Sequence, residues 1–97
     1  MASGLTLRSI SRAIVAAWGG TCAYCGIMPA LGLTLDHVIP QARGGRHEPR
    51  NLVPACRRCN GRKATRTAGE YLELLLCERI ERALAFSVAA PVEENQS

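Results

Sequence analysis

The sequence is poor in aromatic side chains: its 97 residues include one Trp, two Tyr and one Phe. A chain of this length forms one domain and buries only roughly 60–65% of the surface that its unfolded form exposes. A core with so few large rings is thin. We therefore expect an additional stabiliser, such as a bound metal, a disulfide or a partner chain.

Long hydrophobic runs are also absent. No stretch approaches the ~18 apolar residues of a membrane-spanning helix, and 9 Gly and 5 Pro are ordinary counts that argue against collagen-like or wholly disordered chains. Arg12 interrupts the apolar N-terminal segment before a signal-peptide core can form. We expect this segment to be a folded helix of a cytoplasmic protein.

Basic charge is concentrated in one stretch. Residues 43–66 carry eight of the twelve Lys and Arg residues and a net charge of +7, whereas residues 67–97 carry −4. Seven of these eight are arginines, whose forked guanidinium matches phosphate oxygens. The stretch favours a polyanionic partner, nucleic acid first, and a solvated basic loop is the alternative.

Local patterns predict a few short elements. We expect a helix over about residues 7–18 that ends at Gly19-Gly20, and short strands at Leu33–Leu35 and Leu52-Val53. A short helix over Arg57–Lys63 and a long helix over about residues 68–88 follow, and the acidic tail over about 91–97 is expected to be disordered.

The long helix has a predicted start and a predicted apolar face. Thr67-x-x-Glu70 matches a capping box. Helical spacing gathers six apolar residues on one side: Leu72, Leu75, Leu76, Ile80, Ala83 and Phe86. Tyr71 and Leu74 fall outside this face and are predicted to be scattered surface positions.

The cysteines give the first specific indication of a site. Four of the five form two C-x2-C pairs thirty residues apart: Cys22 with Cys25, and Cys56 with Cys59. Two such pairs can close a tetrahedral four-sulfur site for Zn²⁺. Disulfide or redox roles are the alternatives, but structural disulfides need an oxidising compartment. Cys77 is interpreted as a small buried apolar residue.

The segment between the cysteine pairs carries residue types suited to phosphodiester chemistry. Asp36 and Asn60 offer oxygen donors for a hard divalent ion such as Mg²⁺ or Mn²⁺. His37 can take a proton from water, and Asn51 can tie the loop to the strand and orient His37. His47 is interpreted as a solvated loop residue, and a substrate or metal contact is the alternative.

Together these residues resemble the HNH endonuclease family, and within it the small branch with two C-x2-C knuckles. The resemblance covers about residues 22–66 and comprises both cysteine pairs, LDHVIP over residues 35–40, Gly44-Gly45, NLV over residues 51–53, Asn60 and Lys63. It implies an α+β fold: a zinc-stapled ββα-metal core at residues 22–66, flanked by the N-terminal and C-terminal helices. We expect residues 1–97 to form this single domain.

The resemblance also implies roles for individual residues. The counterpart of His37 is the general base, that of Asn51 orients it, and those of Asp36 and Asn60 hold one catalytic divalent ion. Asn60 stands where the motif that names the family has a histidine. The implied activity is metal-dependent hydrolysis of DNA phosphodiester bonds, by nicking or cleavage, which leaves 3′-hydroxyl and 5′-phosphate ends.

The expected cofactors are one structural Zn²⁺ and one catalytic Mg²⁺ or Mn²⁺, and the expected partner is DNA. Phosphate contacts are predicted for seven basic residues: Arg43, Arg46, Arg50, Arg57, Arg58, Arg62 and Lys63. A homodimer and a phage packaging or replication protein are the partners left open, because free-standing proteins of this kind look phage-like. The location would then be the cytoplasm of the host cell.

Two other interpretations use some of the same residues. A non-catalytic zinc-knuckle module that binds nucleic acid would need the cysteines and arginines but neither Asp36 nor His37. A purely structural zinc protein would assemble with a partner through the leucine-rich C-terminal helix.

Overall fold

Five regular elements occur in the part of the chain that the computed structural model describes, residues 6–30 and 32–86. In chain order they are α1 (Leu7–Ala17), β1 (Thr34–His37), β2 (Leu52–Ala55), α2 (Arg57–Lys63) and α3 (Ala68–Phe86). Single 3-10 turns at Gln41–Arg43 and Pro49–Asn51 lie in the loop between the strands. The strand–strand–helix order confirms the predicted α+β fold class.

Helix α1 begins and ends where local chemistry predicts. The hydroxyl of Thr6 accepts a backbone N–H of the first turn at 3.0 Å and thereby caps the helix. Gly19 and Gly20 have φ of 68° and 74°, and their N–H groups donate back to carbonyls of the last turn. This is a Schellman end, which glycine adopts without strain. Helix α1 packs against β2.

The two strands form an antiparallel sheet in which Thr34 pairs with Ala55 and His37 pairs with Leu52. Successive side chains of a strand leave on opposite faces. Thr34 and Asp36 therefore share one face of β1, and α2 contacts both of them, Thr34 through a hydrogen bond and Asp36 through an ion pair. His37 leaves the strand on the other face.

The core is small and surrounds the cysteines. Its buried members are Cys22, Ala55, Cys56, Cys59 and Tyr71, and Tyr24, Leu33, Leu74 and Leu75 pack against them. The rings of Tyr24 and Tyr71 meet edge to face with centroids 5.2 Å apart. This arrangement is consistent with the expectation of a thin core that needs an additional stabiliser.

The capping box of α3 forms as predicted. The backbone N–H of Thr67 donates to the Glu70 carboxylate at 2.8 Å, and the N–H of Glu70 donates to the Thr67 hydroxyl at 3.2 Å. These reciprocal bonds satisfy two donors that the first turn of a helix leaves without partners.

The predicted apolar face of α3 was wrong except at Leu75, which packs against the core. Tyr71 is fully buried and Leu74 is half-buried, although both were predicted to be surface positions. Leu75 is also half-buried. Four large members of the predicted face are exposed: Leu72, Leu76, Ile80 and Phe86. Only the first turns of α3 pass over the cysteine core, and every residue from 79 to 86 is exposed.

Two further predictions concern the C-terminal third of the chain. Cys77, predicted to be buried, is exposed, because it lies on the side of α3 away from the core. Residues 87–88 of the predicted helix and the predicted disordered tail lie outside the described residues. None of the helices within residues 6–30 and 32–86 has the length and apolar character needed to cross a membrane.

Candidate metal centre and active site

The two cysteine knuckles meet in space although thirty residues separate them in the sequence. The sulfur atoms of Cys22, Cys25, Cys56 and Cys59 all lie within 4.8 Å of one another. Cys25 is exposed and the other three are buried. Backbone geometry shapes each turn: the N–H of Gly26 donates to the Cys22 carbonyl at 2.9 Å, and the N–H of Cys59 donates to the sulfur of Cys56 at 3.4 Å.

Ionisation of these thiols differs from site to site. Burial opposes proton loss at Cys22, but backbone N–H donors of Cys25 and Cys56 outweigh it and lower the pKa of Cys22 to about 7. Burial raises the pKa of Cys59 to about 12. Four thiolates this close would repel one another; the positive charge of a bound divalent cation would offset that repulsion, and coordination would deprotonate the thiols.

The buried hydroxyl of Tyr71 is a second indication that the four cysteines hold a metal ion. Among the described residues, the Tyr71 hydroxyl oxygen is the one fully buried side-chain polar atom without a hydrogen-bond partner. Burial raises the pKa of Tyr71 to about 12, and the neighbouring Cys59 adds to the increase. An unpaired buried hydroxyl costs about 1–3 kcal/mol. A Cys59 thiolate held by Zn²⁺ would accept this O–H, so the residues fit a structural zinc.

Asp36 lies in a buried network of three residues. It is 7% exposed, and its Oδ2 accepts the Tyr24 hydroxyl at 2.5 Å and lies 3.1 Å from the Lys63 ammonium. Lys63 also donates to the backbone carbonyl of His37 at 2.8 Å. Burial raises the pKa of Tyr24, as do its hydrogen bond to Asp36 and that residue's charge, so the phenol stays protonated and donates.

Asn60 faces the same strand from helix α2. Its Nδ2 donates to the Thr34 hydroxyl at 3.0 Å, one turn before Lys63 contacts Asp36. The β1–α2 interface therefore brings Asp36 and Asn60 to neighbouring positions. In each residue one side-chain oxygen has no hydrogen-bond partner among residues 6–30 and 32–86. Carboxylate and amide oxygens suit a hard divalent ion.

His37 ends β1 and is half-buried, so its ring does not point into the packed interior. Its Nε2 lies 3.0 Å from Nδ1 of His47. The interpretation of His47 as a solvated loop residue was therefore incomplete, because its ring is exposed but contacts His37. The contact spans ten residues, and no sequence pattern indicated it.

Asn51 fixes the chain that follows His37. It is 8% exposed, its Oδ1 accepts the N–H of Ile39 at 2.9 Å, and its Nδ2 donates to the carbonyls of Ile39 and Arg46 at 3.0 and 2.8 Å. Its backbone carbonyl accepts the Val38 N–H at 2.9 Å. Asn51 thus holds the loop to the strand, as expected, and it does so through backbone groups with no hydrogen bond to the His37 ring.

The structure divides the predicted phosphate contacts into three groups. Four arginines are exposed without a side-chain ion pair among the described residues: Arg46, Arg50, Arg57 and Arg58. Arg43 pairs with Glu70, and Arg62 pairs with Glu78 at 2.6 Å. Lys63 is 1% exposed, so its predicted phosphate contact was wrong: its ammonium is held by Asp36 and the His37 carbonyl.

Two arginines of α3, Arg79 and Arg82, were not among the predicted phosphate contacts. A groove of about 310 Å³ between α2 and α3 is lined by Arg58, Arg62, Arg79 and Arg82. Residues 67–97 carry a net charge of −4, so the two arginines of α3 were not assigned to a basic surface. Their spacing of three residues, which places them on one helix face, is the pattern that could have identified them.

These features define a small ββα protein with a cluster of four cysteines that could hold a metal ion, and a second cluster of polar residues at the strand–helix interface. A family model for HNH endonucleases matches residues 22–74, more than half of the 97-residue chain. The chain therefore belongs to the HNH endonuclease family. Its members are in general nucleases, which implies nucleic-acid binding. A search of curated proteins finds no match.

Proposed function

We propose that this chain is a metal-dependent DNA endonuclease in which His37 is the general base and Asp36 and Asn60 hold one divalent ion. One observation carries the proposal. Asp36 and Asn60 each keep a side-chain oxygen without a partner among the described residues at the β1–α2 interface, while half-buried His37 ends the same strand. Membership of the family makes phosphodiester hydrolysis the natural use of such a cluster.

The roles follow from the contacts. A bound Mg²⁺ or Mn²⁺ supplies positive charge that stabilises the phosphate and the leaving oxygen. His37 takes the proton of the attacking water. Tyr24 and Lys63 act as positioning residues, because both hold Oδ2 of Asp36 and thereby direct the carboxylate. Asn51 positions His37 by anchoring the backbone that follows it.

The exposed arginines are the proposed DNA contacts. Arg46 and Arg50 lie in the loop between the strands, and Arg57 and Arg58 lie in the first turn of α2. Arg43 can exchange the exposed Glu70 for phosphate, and Arg62 can exchange the half-buried Glu78. Phosphate contacts position a duplex without reading its bases, so we expect weak sequence specificity and an affinity that falls steeply with salt.

A nicking assay tests the proposal. Supercoiled plasmid is incubated with zinc-loaded protein and added Mg²⁺ or Mn²⁺, and wild type is compared with His37→Ala at equal zinc content and equal DNA binding. We expect the substitution to lower the nicking rate by about 10²–10⁴-fold, the usual contribution of a general base. Gln41→Ala, in the exposed 3-10 turn of the same loop, is the matched control and should nick at the wild-type rate.

Two outcomes would contradict the proposal. Equal nicking by wild type and His37→Ala would show that His37 is not the base. A wild-type protein that binds DNA but does not nick it, whichever divalent ion is added, would instead favour the non-catalytic zinc-knuckle module.

A further inference from the structure

The two histidines of the chain contact each other. Nε2 of His37 lies 3.0 Å from Nδ1 of His47, and the ring centroids are 5.2 Å apart with the planes tilted by 49°. A nitrogen–nitrogen distance of this length is a hydrogen bond, so one of the two nitrogens carries a proton and the other accepts it.

The direction of this hydrogen bond decides whether His37 can act as a base. A neutral imidazole has one N–H and one bare nitrogen. If His47 donated, the only bare nitrogen of His37 would be occupied by that bond. If His37 donates from Nε2, its Nδ1 is bare, and Nδ1 has no hydrogen-bond partner among residues 6–30 and 32–86.

Hydrogen bonds to the residues before and after His47 fix the position of its backbone. The carbonyl of Arg46, the preceding residue, accepts from the buried Asn51 side chain at 2.8 Å. The carbonyl of Glu48, the following residue, accepts the Asn51 backbone N–H at 2.8 Å. Gly45 lies so close to the Ile39 carbonyl oxygen that a Cβ would stand 1.7 Å from it. The exposed ring of His47 is therefore carried by an anchored backbone.

We propose that His47 is a positioning residue for His37. Its Nδ1 accepts the N–H of His37 Nε2, which fixes the orientation of the His37 ring and the tautomer that leaves Nδ1 bare to receive a proton from water. The hydrogen bond made by one imidazole nitrogen sets the protonation of the other. This inference rests on the proposed function, in which His37 is the general base.

Imidazole nitrogen spectroscopy tests the inference without any measurement of activity. The ¹⁵N chemical shift distinguishes a protonated from a bare ring nitrogen, and with two histidines in the chain the spectrum contains two rings. Zinc-loaded wild type is compared with His47→Leu and His47→Asn at mildly alkaline pH, where imidazoles are mostly neutral. Because His47→Asn and His47→Leu leave a single ring, the His37 signals are assigned directly.

In wild type we expect His37 to be protonated at Nε2 and bare at Nδ1. His47→Leu removes the acceptor, so the His37 signals should move to the average of two tautomers. His47→Asn retains an acceptor oxygen close to the position of Nδ1 and should restore the wild-type pattern. A proton on Nδ1 of His37 in wild type, or identical His37 signals in wild type and His47→Leu, would overturn the inference.

The nicking assay gives the second readout. We expect His47→Leu to lower kcat by about 10–100-fold, the usual effect of losing a partner that orients a functional histidine, with KM nearly unchanged. His47→Asn should recover most of the rate. If wild type nicks and His47→Leu nicks at the same kcat, the inference fails while the proposed function stands. If wild type does not nick, the proposed function fails, and the nitrogen shifts still decide whether His47 fixes the tautomer.

Discussion

The buried ammonium of Lys63 allows a quantitative test of how this fold holds its polar cluster. Lys63 is 1% exposed, and its Nζ makes two contacts: 2.8 Å to the His37 carbonyl and 3.1 Å to Oδ2 of Asp36. Lys63→Met keeps a long unbranched side chain and removes the charge. The substitution leaves the Asp36 carboxylate buried with Tyr24 as its remaining donor.

The expected loss is large for a small domain. Hydrogen bonds to charged groups contribute about 1.5–3 kcal/mol each, and breaking a buried ion pair by removing one partner costs about 3–5 kcal/mol. We therefore expect Lys63→Met to lower the free energy of unfolding by about 3–5 kcal/mol, out of a total that is about 5–15 kcal/mol for most domains. Removing the charges of both partners, in Lys63→Met with Asp36→Leu, should cost less than the sum of the two single changes.

Urea unfolding of the zinc-loaded proteins measures these differences, provided that the dependence on denaturant stays constant across the series. Arg57→Met is the matched control, because Arg57 is exposed on the same helix and its replacement should change stability by less than about 0.5 kcal/mol. A Lys63→Met protein within about 1 kcal/mol of wild type, or strictly additive single changes, would show that the Lys63–Asp36 pair does not hold the polar cluster together.

Three more predictions use other parts of the structure. Asn51→Ala removes three side-chain hydrogen bonds from a buried position and should cost about 2–4 kcal/mol in urea unfolding; a loss below about 1 kcal/mol would count against its anchoring role. Gly45→Ala meets a backbone carbonyl and should destabilise strongly, whereas Gly61→Ala meets nothing within 4 Å and should stabilise α2 by about 0.5–1 kcal/mol; thermal unfolding of both variants checks the contrast. Cys56→Ser should lose zinc by metal analysis and unfold, while the exposed Cys77→Ser retains both metal and fold.

Local chemistry accounts for the features that the sequence predicted well. Thr67 and Glu70 form the capping box because both partners lie within one turn, and Gly19 ends α1 because its left-handed φ needs no tertiary support. The paired cysteines likewise indicate a metal site through a short spacer. Each of these patterns is complete within a few residues, so it can be recognised without knowledge of the fold.

Long-range contacts account for the errors. Counting charge gives Lys63 a positive side chain but does not reveal that Asp36 faces it across the β1–α2 interface. Hydropathy predicts an apolar face for α3 but not where the core ends, and this placed Tyr71 on the surface although it is fully buried. The contact between His37 and His47 depends on how the loop is anchored, which no local pattern encodes.

The turn from Cys22 to Cys25 contributes to two sites: its cysteines belong to the four-cysteine cluster, and the Tyr24 hydroxyl contacts Asp36. The residue stands between Cys22 and Cys25, and its ring leaves the turn to reach Asp36. Replacing the four-cysteine cluster, which could hold zinc, with another crosslink would therefore succeed only if it preserved the direction of the Tyr24 side chain. Transfer of the two strands to another scaffold would likewise have to include the turn from Cys22 to Cys25, because Tyr24 in that turn orients the Asp36 carboxylate.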